Sequence, residues 1–170
     1  GVTVEDDGQT TIVAFGNAPF ADDRDSEDSL ANIIEDMTGA TVYNCSVGSS
    51  YLAAEGASLS MDIAPMDAFN FYWLTTAFCL RNNQYVFEDI FNALGNDMPK
   101  DGLEAYETLM DIDFSKVDVI VLMYDGSDYL AGHNMYSDQN DTDIQCFTGN
   151  MCAGIDLIQD TYPHIRIIVM

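Results

Sequence analysis

The chain of 170 residues is long enough for one domain with a sizeable core, since 48% of its residues are hydrophobic and 11% are aromatic. Five Lys and Arg residues stand against 29 Asp and Glu, which gives a formal net charge of -24. A surface of this charge repels phosphate backbones and anionic membranes, so it excludes a nucleic-acid-binding protein. Most of the acidic residues are interpreted as a solubilising surface. No stretch of the sequence has the apolar length needed to span a bilayer.

An apolar strand, a polar loop and a helix follow a polar lead-in. The strand runs from Ile12 to Phe15 and stops at Gly16, and the loop extends to Asp28. Apolar residues at helical spacing then predict a helix that ends at Gly39. Its buried face is predicted to carry Leu30, Ile33, Ile34 and Met37. This order of elements begins a parallel α/β sheet, whose ligands bind at the carboxyl ends of the strands.

A second strand and a helical block come next. Residues 41–45 predict a short strand, and the small-residue loop 46–50 follows it. Residues 66–79, 85–94 and 100–110 predict three helices, the third with Leu103, Tyr106 and Met110 on its apolar side. Three helices exceed a single crossover, so the block is predicted to be an insertion over one end of the sheet. The aromatic residues of its first helix are predicted to be core: Phe69, Phe71, Tyr72, Trp73 and Phe78.

The last part of the chain predicts two more strands. Residues 117–123 (VDVIVLM) are apolar at nearly every position, which is typical of a central parallel strand. A polar loop and a helix at residues 148–160 lead to a final strand from Ile165 to Met170. The sequence therefore predicts one α/β domain over residues 1–170, built on a parallel sheet.

The four cysteines show no metal-ligand spacing and no CxxC pair. Cys45 and Cys79 are predicted to be buried free thiols. Cys146 and Cys152 are close enough in sequence for a disulfide, and the sequence leaves their state open.

Three segments carry a resemblance to a known family. The second strand and its loop read VYNCSVGSS, the central strand and its loop read VDVIVLMYDGSDYLAG, and the last strand reads YPHIRIIVM. With the opening strand and loop, this order of blocks resembles the SGNH (GDSL-like) hydrolase superfamily over most of the chain. The resemblance implies a three-layer, flavodoxin-like parallel sheet flanked by helices, with the helical block inserted between strands two and three. It also implies that strand one lies between strands two and three, with strand four outside strand three.

The family hydrolyses esters with a serine nucleophile, oxyanion donors and a histidine, and this sequence departs from that pattern. The positions that match the family motifs are Gly16, Asn17, Ala18, Gly48, Ser49, Asp125, Gly126, Ser127 and Asp128. Ala18 stands at the nucleophile position, and Ser127 replaces an amide donor. The family's Asp-x-x-His block, expected after the strand that ends at Met170, is absent. We therefore expect no esterase activity from the chain and a surviving pocket that binds a carbohydrate or an acyl ligand. The alternative is a fragment of an active ester hydrolase whose catalytic histidine lies further along.

The candidate ligand-binding residues lie in the loops at the carboxyl ends of the strands: Asn17, Ser49, Asp125, Ser127 and His133. His133 is interpreted as a surface loop histidine, and His164 belongs to the opposite end of the sheet. Asp22, Asp23 and Asp25 could supply oxygen ligands to a hard cation such as Ca²⁺, although no spacing matches a dedicated calcium loop. The competing interpretation is that Asp25 or Ser26 caps the first helix.

Two other α/β families fit this sequence poorly. A flavodoxin binds the phosphate of its flavin in the loop after strand one, and the acidic residues of that loop here would repel it. A phosphate-accepting receiver domain is compact, and too many residues separate strands one and three of this chain. We therefore expect no cofactor.

Two expectations concern the context of the chain. The sequence begins at Gly1, so a signal or anchor segment could have been lost, and the extracellular or cell-surface space of a bacterium is the favoured location. The chain resembles a family member truncated after its fourth strand, which leaves Ile165 to Met170 as an unprotected sheet edge. An edge of this kind predicts a homodimer formed by edge-to-edge pairing.

Overall fold

A four-stranded, all-parallel sheet forms the centre of the protein in a computed structural model that describes residues 2–4 and 6–170. The strands are β1 (Thr11–Gly16), β2 (Thr41–Asn44), β3 (Val119–Met123) and β4 (Arg166–Val169). Their order in the sheet is β2-β1-β3-β4, as the resemblance implied. The prediction of an α/β protein with a parallel sheet flanked by helices is confirmed, and this sheet is compatible with a flavodoxin-like fold.

The two faces of the sheet bury alternate residues of the central strands, as the pleat requires. Val13 and Phe15 of β1 belong to a large core that also contains residues of four helices. These helices are α2 (Phe71–Cys79), α3 (Gln84–Leu94), α4 (Gly102–Asp111) and α6 (Phe147–Thr161). Ala14 and Val121 face the other way and pack with Phe20 and with α1 (Leu30–Thr38). Because both faces are covered, β1 and β3 are apolar at nearly every position.

Helix α1 buries only part of the predicted face, since Leu30 and Ile34 pack against the core whereas the other two predicted residues do not. Ala31 is its buried residue and Ile34 is partly buried, whereas Ile33 is 41% exposed and Met37 is 81% exposed. Compared with the predicted face, the buried face is rotated about the helix axis towards Ala31. The rotation is roughly half of the 100° between successive residues of a helix. A small side chain at this position lets the helix lie close to the sheet. Gly39 ends the helix in the left-handed conformation (φ 72°), as predicted.

The N-terminal cap of α1 is Ser29, whose side chain accepts a hydrogen bond from the backbone N–H of Asn32, so the expectation of Asp25 or Ser26 was wrong. We expect Ser29→Ala to lower the free energy of unfolding by about 1 kcal/mol, because an orphan N–H loses its acceptor. Ser26→Ala is the control, with an expected change below about 0.5 kcal/mol, because its hydroxyl accepts from the exposed Asp28 N–H, where water can replace it. Urea unfolding of both variants measures the difference. Equal losses would contradict the assignment of the cap to Ser29.

The helices between β2 and β3 differ from the prediction in two places. The helix predicted over residues 66–79 is split into a 3-10 turn (Pro65–Phe69) and α2, because the Asn70 side chain accepts from the Trp73 N–H and starts a new helix. Helix α4 buries Ala105 and Leu109, whereas Leu103 is exposed. Tyr106 and Met110 are partly buried against the core.

Three of the five aromatic residues predicted to be core are buried, while Trp73 is partly buried against the core and Tyr72 is half-buried outside it. Phe69, Phe71 and Phe78 are fully buried. The ring of Phe78 stacks on Phe114, with 3.9 Å between the centroids. Helix α6 lies close to α2 because Gly154 meets the Phe71 ring, where a Cβ would approach Phe71 Cε1 to 2.4 Å. A short helix that was not predicted from the sequence, α5 (Ser127–Leu130), follows the carboxyl end of β3.

Strand β4 lies at one end of the sheet and is largely exposed, unlike the central strands β1 and β3. Ile168 is 48% exposed and Val169 is 52% exposed. A terminal strand has a neighbour on one side only, which leaves its second backbone edge and its outer side chains uncovered. Pairing of two copies along the segment from Ile165 to Met170 stays a prediction. None of the helices in the described residues has the length and apolar character to cross a membrane.

Candidate functional site

Three loops meet at the carboxyl ends of β1, β2 and β3. Gly16, the last residue of β1, lies so close to β3 that a Cβ on it would be 1.8 Å from the backbone oxygen of Met123. Its φ of 149° belongs to the region that favours glycine. The N–H of Asn17 donates to the Met123 oxygen (3.2 Å), and the N–H of Val47 donates to the Gly16 oxygen (2.9 Å). The backbone therefore holds the three loops together at this point.

The side chain of Asn17 also connects the three loops, and it is buried beneath them with 2% of its surface exposed. Its Nδ2 donates to the Ser50 carbonyl and to Asp125 Oδ1, both at 3.0 Å, and its Oδ1 accepts from the Asp125 N–H at 2.8 Å. The amide thus joins all three loops with both of its donors and its acceptor. Asn17 was a ligand-binding candidate, and the structure places it beneath the loops with its polar atoms bonded to the protein.

Most of the other candidate positions line one open cleft above Asn17. Its volume is about 760 Å³, within the range of roughly 300–1,000 Å³ that small-molecule sites occupy. The candidates that the structure brings together here are Ala18, Gly48, Ser49, Asp125, Ser127, Asp22, Asp23 and Asp25. The methyl group of Ala18 thus lies on the cleft wall. Ser49 has a left-handed backbone (φ 60°), which is uncommon for a residue other than glycine.

Arg24 also lines the cleft, although it was not among the residues predicted from the sequence. Its Nη1 donates to the Ser46 carbonyl and its Nη2 to the Asn44 carbonyl, both at 2.8 Å, while Nη1 lies 3.5 Å from Asp101 Oδ2. The side chain is 5% exposed. The guanidinium therefore ties the first loop to the end of β2, and its charge is balanced by Asp101. The sequence does hold one signal for this role, because a single arginine stands among the acidic residues of the first loop.

The acidic residues of the cleft were considered above as ligands of a hard cation. Among residues 2–4 and 6–170, no group of three or more His, Cys, Asp or Glu side chains is arranged to hold a metal ion. Asp22, Asp23 and Asp25 do line the cleft. Their role as cation ligands stays a prediction.

Asp128 and His133 form a pair beside the cleft. The Asp128 carboxylate is fully buried and accepts hydrogen bonds from the backbone N–H groups of Leu52 and Ala53, both at 3.0 Å. His133 Nδ1 lies 2.9 Å from Asp128 Oδ1, and the His133 side chain is 24% exposed. His133 is therefore partly buried and held in place, whereas a free surface histidine was expected. The spacing of Asp128 and His133 in the sequence does not predict this pair. The pair forms because the chain turns back on itself at the end of α5.

The cysteines are free thiols in the structure. Burial raises the pKa of Cys45 to about 12, with a small opposing effect from the charge of Arg24. Burial also raises the pKa of Cys79 to about 12. The thiolate is the reactive form of cysteine, so these two side chains are not nucleophiles at neutral pH.

Comparisons of the chain with protein-family models, with curated proteins and with solved structures found no match. The resemblance to the SGNH superfamily therefore stays a prediction.

Proposed function

We propose that this chain is an SGNH-type α/β domain that binds a carbohydrate in the cleft and has lost ester hydrolysis at position 18. In this proposal the sheet is the flavodoxin-like sheet of that superfamily, and the helices between β2 and β3 are its insertion. The strand order and the position of Ala18 on the cleft wall support the proposal. A methyl group has no hydroxyl to attack an ester, yet it leaves the cleft open.

The chemistry of the cleft wall favours a ligand that donates hydrogen bonds. Five aspartates line the cleft: Asp22, Asp23, Asp25, Asp101 and Asp125. Ionised carboxylates only accept hydrogen bonds, and sugar hydroxyls and amines are donors. Arg24 is bonded within the protein, which leaves Lys100 as the other basic residue on this wall. An anionic ligand such as a phosphate would be repelled, so a neutral or amine-bearing carbohydrate, free or acylated, is the ligand class that fits.

A glycan array containing neutral, amino, O-acetylated, sulfated and uronic acid sugars tests this proposal. We expect binding to neutral or amino sugars and none to sulfated sugars or uronic acids. Ala18→Tyr should weaken that binding by about tenfold or more, because the larger side chain occupies the cleft. The same change at Ala93, exposed on α3, is the control and should leave binding unchanged. An array without hits, a preference for anionic glycans, or equal effects of the two variants would refute the carbohydrate site.

A further inference from the structure

A smaller pocket lies next to the cleft and is joined to it by Ser49, which lines both. Its volume is about 160 Å³, the share of roughly five water molecules in the liquid. Tyr51, Ala53 and Met66 supply its apolar wall, and Glu55, Asp67 and His133 supply ionisable groups. Neither lysine nor arginine appears among the described residues that line it. The pocket therefore has about a fifth of the volume of the neighbouring cleft.

His133 lines this pocket, and an imidazole in its neutral form has one hydrogen-bond acceptor. Asp128 is a carboxylate that already accepts two backbone N–H groups, so the hydrogen of its contact with His133 belongs to Nδ1. In a neutral imidazole with the hydrogen on Nδ1, the other nitrogen, Nε2, carries a lone pair. The ring of Tyr51 packs edge-on against His133, with 4.6 Å between the centroids. The imidazole is therefore oriented from two sides, and its tautomer is set by a buried partner.

The pocket wall also carries two carboxylates, beside the hydroxyls of Ser49 and Ser50, and no lysine or arginine stands among its described residues. Asp67 is buried, and its two oxygens accept from the N–H groups of Glu55 and Gly56 at 3.0 and 2.9 Å. Burial raises the pKa of Asp67 and the negative charge of Glu55 raises it further, while the two N–H groups lower it. Glu55 and Asp67 thus lie close together at this spot, and a bound cation would stabilise their ionised forms.

We propose that this pocket binds a primary ammonium group, which donates to His133 Nε2 and to the Glu55 carboxylate beside the ring of Tyr51. An ammonium group has three donors and no acceptor, which matches a wall of acceptors. An aromatic ring adds attraction for a cation. With the carbohydrate cleft proposed above, on which this part rests, the ammonium is the amine of an amino sugar whose ring lies in the cleft.

Two probes separate the pocket from the cleft. Ethylammonium chloride is small enough for the pocket alone, and its binding is followed by NMR at physiological ionic strength, with N-ethylacetamide as the uncharged control. We expect saturable shifts at His133 and Tyr51 with ethylammonium only. Glu55→Gln should weaken this binding by about tenfold, because a charge-assisted hydrogen bond is lost. Glu104→Gln, at an exposed position of α4, removes the same charge elsewhere and should change nothing.

The second probe is glucosamine, compared with glucose and N-acetylglucosamine. We expect tighter binding of glucosamine, reduced by Glu55→Gln and by Ala18→Tyr, whereas Ala18→Tyr leaves ethylammonium binding intact. Ethylammonium binding without any sugar binding would overturn the carbohydrate cleft and keep the ammonium pocket. Shifts spread over the acidic surface, or equal effects of Glu55→Gln and Glu104→Gln, would overturn the pocket itself.

Discussion

Replacing Gly16 by alanine is expected to lower the free energy of unfolding by more than about 4 kcal/mol, or to abolish the folded state. The added Cβ would lie 1.8 Å from the oxygen and 2.7 Å from the carbonyl carbon of Met123. These atoms belong to the backbone of β3, so relief requires the two central strands to separate. The φ of 149° adds strain for any residue with a Cβ. Urea unfolding followed by circular dichroism measures the loss.

Gly126→Ala is the matched control for this prediction. Gly126 lies in a neighbouring loop of the same site, where an added Cβ meets nothing within 4 Å. Its stability should change by less than about 1 kcal/mol. A Gly16→Ala protein as stable as Gly126→Ala would contradict the close approach of β1 to β3.

Asn17→Asp is expected to lower the free energy of unfolding by about 3 kcal/mol at pH 7, although the two side chains have nearly the same shape. Nδ2 of Asn17 donates to the Ser50 carbonyl and to Asp125 Oδ1. A carboxylate oxygen in its place would face these two acceptors without a hydrogen, one of them negatively charged. The loss would come from the buried charge, since no volume changes.

The loss should also depend on pH in a defined direction. Burial and the charge of Asp125 raise the folded-state pKa of a carboxyl at position 17 above the unfolded value of about 3.9. The folded variant then binds its proton more tightly than the unfolded chain. The variant should therefore be closest to the parent below pH 4 and lose stability as the pH rises through the raised pKa, by up to about 1.4 kcal/mol per pH unit.

Urea unfolding of parent and variant between pH 4 and pH 8 measures this dependence. Asn82→Asp, at an exposed position between α2 and α3, adds the same charge without burial and should stay within about 0.5 kcal/mol of the parent. A pH-independent loss for Asn17→Asp, or the same profile in both variants, would contradict the role of Asn17 as the amide that joins the loops.

The consequence for function is that the cleft is pre-formed. The Asn17 amide, the Gly16 contact and the Arg24 guanidinium each connect segments that are far apart in the chain. A site held in this way does not have to order its loops when it binds, which removes part of the entropic cost of binding. Asn17 acts as a positioning residue, and the groups available to a ligand are those on the cleft wall above it.

Local pattern was enough to predict the sheet and its class. The apolar runs of β1 and β3, and the glycine after α1, depend on neighbours a few residues away, so the strand and helix bounds were close. The end of α3 at Gly95 was predicted for the same reason. The loops at the carboxyl ends of the strands followed from the parallel sheet, and most of the candidate positions do lie on one cleft.

Only the tertiary structure decided which side chains are available to a ligand. Asn17 and Asp128 are polar loop residues in the sequence, yet contacts with Ser50, Asp125, Leu52 and Ala53 bury them. The helix faces were also decided by packing, because Met37 and Leu103 have the right spacing but no surface to cover them. His133 contacts Asp128 because the chain turns at the end of α5. The spacing of apolar residues indicates whether a segment is a helix or a strand. The hydrogen-bond partner of a buried polar group lies on another segment, which it meets only when the chain has folded.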